Sequence, residues 1–417
     1  MLASPEVRCS GALRGSGHSE PLERNGKRDT RSPALTGMRA VAALLVVGTH
    51  AAFATGQLSH GYLGAVYARL EIGVALFFVL SGFLLFRPWV AAAAAGARPP
   101  GLGQYARRRV RRIAPAYLVT VLAIFELYVV FTPGPNPGQT WHGLLRYLTL
   151  TQTYTDDYLT TYLHTGLSQM WSLAVEVSFY AALPAIAYVV LQRRRPQWRA
   201  ARVLKALAAI AAVTPAWLLV VAATDQFPNS AGMWLPAHLA CFAGGMALAV
   251  LRIVGRRWRA DVALLLAGAL FLIVATPLGG AIVGPVPVWA LATKAVLYAA
   301  IATLTVGALV LGTSDRYARM LGNTPMVRIG EISYEIFLLH AAVMAVTMNL
   351  LLRWPLFTGS LTVLYATTLA LTIPLAWALH RVTGPRPART LNQLAQGGHQ
   401  QRQRPAAMRR RVLLLRR

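Results

Sequence analysis

The sequence predicts an all-α polytopic membrane protein, a bundle of about ten transmembrane helices with both termini in the cytoplasm. Hydrophobic residues make up 56% of the 417 residues and charged residues only 13%, about half the charged share of a soluble domain. The mean hydropathy is +0.48. The apolar residues lie in long blocks, and the basic residues lie between the blocks.

Each predicted helix corresponds to a block of about 20 apolar residues, the length that crosses the hydrocarbon core of a bilayer. In chain order the predicted helices cover 38–56, 72–90, 113–131, 172–191, 203–223, 234–251, 261–278, 288–312, 330–352 and 360–381.

The basic residues fix the predicted orientation. The net charge is +27, and all but five of the basic residues lie in the two tails and in alternate connectors; the exceptions are Arg39, Arg69, Arg146, Lys294 and Arg353. The positive-inside rule therefore places both termini and the basic connectors in the cytoplasm. The protein is predicted to lie in the cell membrane and to cross it many times. Nucleic acid is not an expected partner, since the charges do not collect on one folded face.

The remaining segments are tails and connectors. Residues 1–36 contain no apolar core and are predicted to be a disordered basic tail rather than a signal peptide, and 384–417 a disordered Arg-rich tail; 37–383 form the membrane domain. Cys9 and Cys241 lie in different environments, so no structural disulfide is expected. The longest outer connector, 132–171, predicts an outer cap with a re-entrant piece.

Arg39 and His50 are two costly polar residues in the first predicted helix. They are eleven residues apart, about 16 Å of helical rise, and share a face to within roughly 20°. Arg39 alone is best explained as an anchor at the cytoplasmic interface. His50 is explained equally well by an interhelical hydrogen bond or by a functional role, and together the two suggest a polar track into the protein.

Glu176, in WSLAVEVSFY, is predicted at about the depth of His50. A buried carboxylate must be protonated, paired or used; a protonated side chain with one interhelical hydrogen bond is as good an explanation as catalysis. Ser81-Gly82 in LFFVLSGFLL favours close helix packing. The ninth helix, GEISYEIFLLHAAV, carries Ser333, Tyr334 and His340.

The connector RRRVRRIAP contains more arginine than orientation requires. Arg108 with Arg111, and Arg109 with Arg112, are i, i+3 pairs that can each converge on one phosphate-sized anion. Contact with lipid headgroups is the alternative.

These segments together resemble the membrane-bound acyltransferase-3 family, which O-acylates sugars and other hydroxyl compounds. The resemblance covers about 35–383 and rests on the order of its motifs. They are the Arg39 and His50 pair, LFFVLSGFLL, RRRVRRIAPAY, WSLAVEVSFY, WLPAHLACFAGGM and GEISYEIFLLH.

The resemblance implies a catalytic base at His50, an essential Arg39 and a cytoplasmic acyl-CoA site at the basic connector. Acyl-CoA is then a co-substrate, with no bound cofactor or metal. Glu176 is expected to orient His50, as a carboxylate orients histidine in a catalytic triad. Further polar side chains are expected to support the site: Glu71, Ser81, Ser172, Ser333, Tyr334 and His340.

The sequence departs from the family in two places. Many members that act on surface sugars have an acidic residue where this chain has Ala75; Glu71, at i−4 on the same face, is a candidate replacement. Gly384 precedes a proline where many members have Glu. No appended esterase-like domain is present in the sequence, so a two-step transfer within one chain is not expected.

The expected acceptor is a hydroxyl-bearing carbohydrate: a surface polysaccharide, a glycolipid or a sugar on a small molecule. The alternative class is a transporter or exporter with a polar path, for which Pro184, Pro215 and Pro374 inside spans are the only support. An inactive or regulatory member is disfavoured, because Arg39, His50 and Glu176 are all present.

Overall fold

A computed structural model describes residues 32–155, 163–192, 198–224, 226–280, 286–313 and 315–384. Within these ranges the chain is helical, and the one β-type contact is an isolated bridge between Trp258 and Gly312. The predicted tails lie outside the described residues, except for 32–36 and Gly384.

The helices follow the predicted order. They are α1 (Pro33–Ala54), α2 (Gly61–Arg69), α3 (Ile72–Ala94), α4 (Leu102–Val130), α5 (Trp141–Leu148), α6 (Trp171–Ala187), α7 (Ala200–Ala223), α8 (Leu239–Ile253), α9 (Ala260–Val274), α10 (Val288–Val310), α11 (Asp315–Leu321), α12 (Thr324–Glu331), α13 (Ser333–Val346) and α14 (Leu361–Thr383).

The all-α transmembrane class predicted from the sequence is confirmed. Among the described residues, nine helical stretches are long and apolar enough to cross a membrane. The seventh predicted span is shorter than expected: α9 ends at Val274 and has 15 residues. The second begins earlier, because α2 continues almost directly into α3. Large side chains such as Val130 and Leu265 are exposed on the bundle surface, as expected of a lipid-facing surface.

Two of the central helices, α3 and α8, touch through glycine. A Cβ atom on Gly82 would lie 2.3 Å from the carbonyl oxygen of Phe242, and one on Gly245 would lie 2.0 Å from that of Val79. Both glycines therefore allow the two backbones to approach closely, as small residues do in membrane helix pairs. The predicted packing role of Ser81-Gly82 falls on Gly82.

The connector between α4 and α6 forms a cap over one end of the bundle, defined here as residues 132–155 and 163–170. It contains α5, whose first turn is capped by Thr140. His164 is fully buried in the cap among the rings of Phe125 and Tyr128. Its Nε2–H donates to Gln139 Oε1 at 2.7 Å, and its Nδ1 accepts from the backbone N–H of Gly166 at 3.1 Å.

Candidate active site

A cavity of about 330 Å³ opens at the end of the bundle that holds Arg39 and the arginines of α4, hereafter the basic end. Helices α1, α3, α4, α6 and α13 form its walls. Most of the polar residues predicted from the sequence share these walls: Arg39, Ser81, Arg108, Arg109, Arg112, Ser172, Glu176, Ser333 and Tyr334. Residues separated by up to three hundred positions in the chain therefore meet in one site.

Four guanidinium groups converge on this cavity, from Arg39 on α1 and Arg108, Arg109 and Arg112 on α4. Arg111 does not join them, because it lies outside the cavity wall. Of the two predicted pairs, Arg109 with Arg112 therefore lines the cavity together, whereas Arg108 lines it without Arg111.

The positive charge in the cavity is poorly compensated. Within the part of the chain that the structure describes, Arg39 has no hydrogen bond or ion pair, and the buried Nε of Arg109 has no partner. Arg109 lies 6.0 Å from the ring centre of Tyr180. Buried or half-buried cations of this kind need a counter-charge. Among the described residues that line the wall, Glu176 is the one carboxylate, so this part of the site has an excess of positive charge.

Glu176 is bound by two hydroxyl groups. Its Oε1 accepts a hydrogen bond from Ser81 on α3 and one of 2.5 Å from Tyr180, one turn further along α6. Ser81 thus has a polar partner, beyond the packing role that the sequence favoured. Tyr180 was not predicted as a site residue; its i+4 spacing from Glu176 is the sequence signal that could have found it.

His50 pairs with His340, not with Glu176. Nδ1 of His50 lies 2.8 Å from Nε2 of His340, and the two rings are inclined by only 18°. Orientation of His50 by Glu176, expected by analogy with a triad, is corrected here, because the carboxylate and the imidazole each have other partners. The sequence named both histidines but gave no signal that α1 and α13 would bring them together.

The histidine pair lies just beyond the inner end of the cavity. Phe77 and Phe337 form part of the cavity wall, and Phe337 is one helical turn from His340, with ring centres 6.1 Å apart. His340 is fully buried, whereas His50 is only partly buried. His50 is therefore the member of the pair that retains some accessible surface.

The remaining predicted hydroxyl groups in the wall donate to backbone carbonyls. Ser172 donates to Gln169 O at 3.2 Å, Ser333 to Gly330 O at 2.8 Å and Tyr334 to Ile113 O at 3.1 Å. Tyr334 thereby ties α13 to α4 beside the arginine cluster. These bonds hold the wall in shape.

Glu71 lies outside the cavity, one turn before Val74 in its wall. Its Oε1 accepts from Lys294 Nζ at 3.1 Å and from Tyr298 OH at 3.0 Å. The segment before it contacts α1 near His50, because Thr49 Oγ1 donates to Ala68 O at 3.3 Å. Lys294 and Tyr298, four apart on α10, are site neighbours that sequence reasoning did not connect with Glu71.

Arg69, close to Glu71, is almost fully buried at the end of the bundle opposite the basic end. Its Nε donates to Val274 O at 2.9 Å, and its Nη2 donates to Gly279 O at 2.9 Å and Gly280 O at 2.7 Å. This arginine joins the C-terminal end of α2 to the end of α9 and the turn that follows it.

The amino-acid sequence is similar to that of one family of known proteins. Residues 32–381 match the acyltransferase domain of the acyltransferase-3 family. The acyltransferase MdmB of Streptomyces mycarofaciens is 30% identical over 342 residues, which cover 75% of this chain and 79% of that protein.

The peptidoglycan O-acetyltransferase OatA of Listeria monocytogenes is 28% identical over 180 residues, 40% of this chain and 26% of its own length. The O-acetyltransferase OatA of Staphylococcus aureus is 25% identical over 169 residues, with the same coverage. No solved structure gives a significant match.

Proposed function

The chain belongs to the acyltransferase-3 family, and on that premise we propose that it transfers an acyl group from cytoplasmic acyl-CoA to a carbohydrate hydroxyl at the plasma membrane. The enzyme is a multi-pass membrane O-acyltransferase. Acetyl is the simplest donor group. One observation carries the proposal: a cavity with excess positive charge begins at four arginines and ends one helical turn from the His50 and His340 pair.

The charge of the cavity suits the donor. Coenzyme A carries several phosphate charges near one end and the thioester at the other. Arginine binds phosphate with short, charge-assisted hydrogen bonds, and the uncompensated groups of Arg39 and Arg109 are free to make them. Glu176, held by Ser81 and Tyr180, offsets part of the positive charge when the site is empty. Glu176 therefore limits the repulsion among the arginines.

The depth of the cavity suits the pantetheine arm. Arg39 and His50 are eleven residues apart on α1, about 16 Å of helical rise, so a donor bound by its phosphates at Arg39 extends its thioester toward His50. The wall between them is mostly apolar, with Phe77, Phe78 and Leu173, which excludes water from the thioester.

The reaction needs a base at the thioester end. His50 takes the proton of the acceptor hydroxyl, and the oxygen attacks the thioester carbonyl carbon. A C–O bond forms, the C–S bond breaks, and the proton on His50 passes to the departing thiolate. A histidine can also carry the acyl group transiently; an acyl label on the protein in the absence of acceptor, released by mild acid or neutral hydroxylamine as expected of an acyl-imidazole, distinguishes that route.

The acceptor approaches from the opposite end of the bundle, beneath the cap. Glu71 lies at that end. Both hydrogen bonds that it accepts end on Oε1, so its Oε2 is available to an acceptor hydroxyl. A carbohydrate acceptor is supported by the similarity to OatA of Listeria monocytogenes, a peptidoglycan O-acetyltransferase. The acyl group therefore crosses from a cytoplasmic donor to an acceptor on the other side.

The test uses the purified protein in vesicles, with acetyl-CoA labelled in the acetyl group as donor. The acceptors are carbohydrate and glycolipid fractions prepared from cells that express the protein. We expect label in alkali-labile esters with the unaltered protein and none with His50→Ala, while His60→Ala, an exposed histidine, acts as the matched control and retains activity. Movement of an intact solute across the vesicle without ester formation would identify a transporter and overturn the proposal.

A further inference from the structure

The hydrogen bonds of the histidine pair indicate which ring nitrogen of His50 and of His340 carries the hydrogen. His340 Nδ1 lies 2.9 Å from the carbonyl oxygen of Phe337 and 3.2 Å from that of Ile336. Carbonyl oxygens only accept hydrogen bonds. Nδ1 of His340 therefore carries a hydrogen, and in the neutral ring its Nε2 has a lone pair.

The same reasoning extends to His50. Nε2 of His340 can only accept, so Nδ1 of His50, 2.8 Å away, must donate. A neutral His50 that carries its hydrogen on Nδ1 has its lone pair on Nε2. The ring nitrogen on the far side from His340 is then the basic one, as in other histidines whose second nitrogen is held by a defined partner.

The carbonyl group of Phe337, which accepts the hydrogen bond from His340, is itself held in place. Gln169, in the buried part of the cap, donates through Nε2 to Leu338 O at 2.9 Å and to Phe337 O at 3.3 Å. His340 has no exposed surface. A buried imidazole anchored at both nitrogens cannot rotate without leaving buried polar groups unsatisfied, which is unfavourable.

We propose that His340 is a positioning residue that selects the tautomer of His50, so that Nε2 of His50 removes the proton from the acceptor hydroxyl. The proposal rests on the proposed function of His50 as a base. His340 touches neither substrate. It keeps its own hydrogen on Nδ1 throughout, while the acceptor proton moves to Nε2 of His50 and then to the thiolate of coenzyme A.

This arrangement differs from a catalytic triad, in which a carboxylate orients the histidine. Here the orienting group is neutral, so the requirement is for a hydrogen-bond acceptor at one point and not for a negative charge. A glutamine at position 340 can place its Oε1 near the same point, whereas a leucine of similar size cannot accept a hydrogen bond.

The first test reads the tautomer directly. Nitrogen-15 spectra of histidine-labelled full-length protein in lipid nanodiscs, with His50 assigned from the signal lost in His50→Gln, should show His50 protonated on Nδ1 and bare on Nε2. In His340→Leu we expect a signal from His50 protonated on Nε2. A wild-type His50 protonated on Nε2 would overturn the proposal, whatever the result for His340→Leu.

The second test separates positioning from packing by kinetics with acetyl-CoA as the probe. His340→Leu should lower kcat about 10–100-fold, the range found when a group behind a functional histidine is removed, with the KM for acetyl-CoA unchanged. His340→Gln should stay within a few-fold of wild type. Thr347→Val, which alters a buried hydroxyl further along the same helical segment, is the matched control.

Equal losses in His340→Gln and His340→Leu, or an unchanged kcat in His340→Leu, would contradict the positioning role. The two proposals can fail separately. A wild-type protein that does not turn over acetyl-CoA defeats the proposed function, while the tautomer is still decided by the spectrum.

Discussion

The two ends of the bundle differ in whether a buried arginine has hydrogen-bond partners within the protein. At the end opposite the basic end, Arg69 donates to three backbone carbonyls and is almost completely enclosed. At the basic end, Arg39 lines a cavity and has no hydrogen bond among the described residues. Both residues are arginines next to apolar helices, so the residue type alone does not separate them.

The difference separates an arginine whose donors are satisfied by the described part of the protein from one whose donors are not. A guanidinium whose donors are satisfied by backbone stabilises the fold, since its removal leaves buried carbonyls without partners. A guanidinium left unsatisfied next to others of like charge costs free energy until an anion arrives. Arg69 is then a structural residue, and under the proposed function Arg39 is a residue that binds the donor.

The largest effect that this comparison predicts is on stability. Arg69→Met keeps the volume of the side chain but removes the donors to Val274, Gly279 and Gly280, and we expect the free energy of unfolding to fall by about 3 kcal/mol or more, at about 1–3 kcal/mol for each buried carbonyl left unpaired. Denaturant titration in detergent measures it. Arg69→Lys should recover only part of the loss, because an ammonium group lacks the fork of donors.

An Arg69→Met protein with unchanged stability would remove the contrast between the two ends. So would a rise in the KM for the acyl donor without loss of stability, since that result would make Arg69 a binding residue as well.

The next effect is on donor affinity. Arg39→Ala should raise the KM for acyl-CoA about 10–100-fold, equivalent to about 1.4–2.7 kcal/mol, and leave the free energy of unfolding unchanged or slightly higher because repulsion with Arg109 and Arg112 is relieved. Initial rates over a range of acyl-CoA concentration measure it. Arg111→Ala, on the same end but outside the cavity wall, is the control and should leave the KM unchanged.

A similar rise in KM for Arg39→Ala and Arg111→Ala would show that the whole basic end attracts the donor by charge alone. The contrast between structural and donor-binding arginines would then apply to the two ends of the bundle as whole surfaces, and Arg39 would have no special role in the cavity.

The smallest effect is the pH response of the cap. Burial lowers the pKa of His164 to about 4 from 6.5. The folded cap therefore has its full stability above pH 6.5 and loses it as the pH falls toward 4, by about 1.4 kcal/mol at pH 5.5, since protonation of Nδ1 breaks the bond from Gly166 N–H. Hydrogen exchange at the cap amides, corrected for intrinsic rates, measures the loss.

His164→Gln has no titrating ring and should remove this pH dependence of protection. Protection of the cap that is equally pH-dependent in this variant would assign the response to another group.

Much of the fold followed from the sequence because membrane helices have a length requirement that apolar blocks display directly. Cavity residues on single helices were also found, since Arg39 and Glu176 are conspicuous in apolar surroundings and Arg108 lies in an unusually dense run of arginines. The basic-inside orientation and the disordered tails remain predictions. The span that came out short, α9, carries a run of leucine and alanine that resembles a full span, but the helix ends at Val274 and is followed by the turn Pro277–Gly279.

The partnerships between helices could not be read from the sequence. His50 and His340 are 290 residues apart, and no period or spacing along one helix indicates which neighbour it meets. For the same reason Glu176 was expected beside His50, when its partners come from α3 and from its own next turn. Glu71 with Lys294 is a third case, set by the packing of α3 against α10.

The glycine contact between α3 and α8 has a consequence for how the enzyme can change its acyl specificity. The backbones at Gly82 and Gly245 already touch, so α3 cannot move away from the cavity to admit a longer acyl chain. Space must come from side chains at the inner end, above all Phe77 and Phe337. Divergence in chain length within such a scaffold should therefore proceed by exchange of large for small residues at two positions, with the helix axes unchanged.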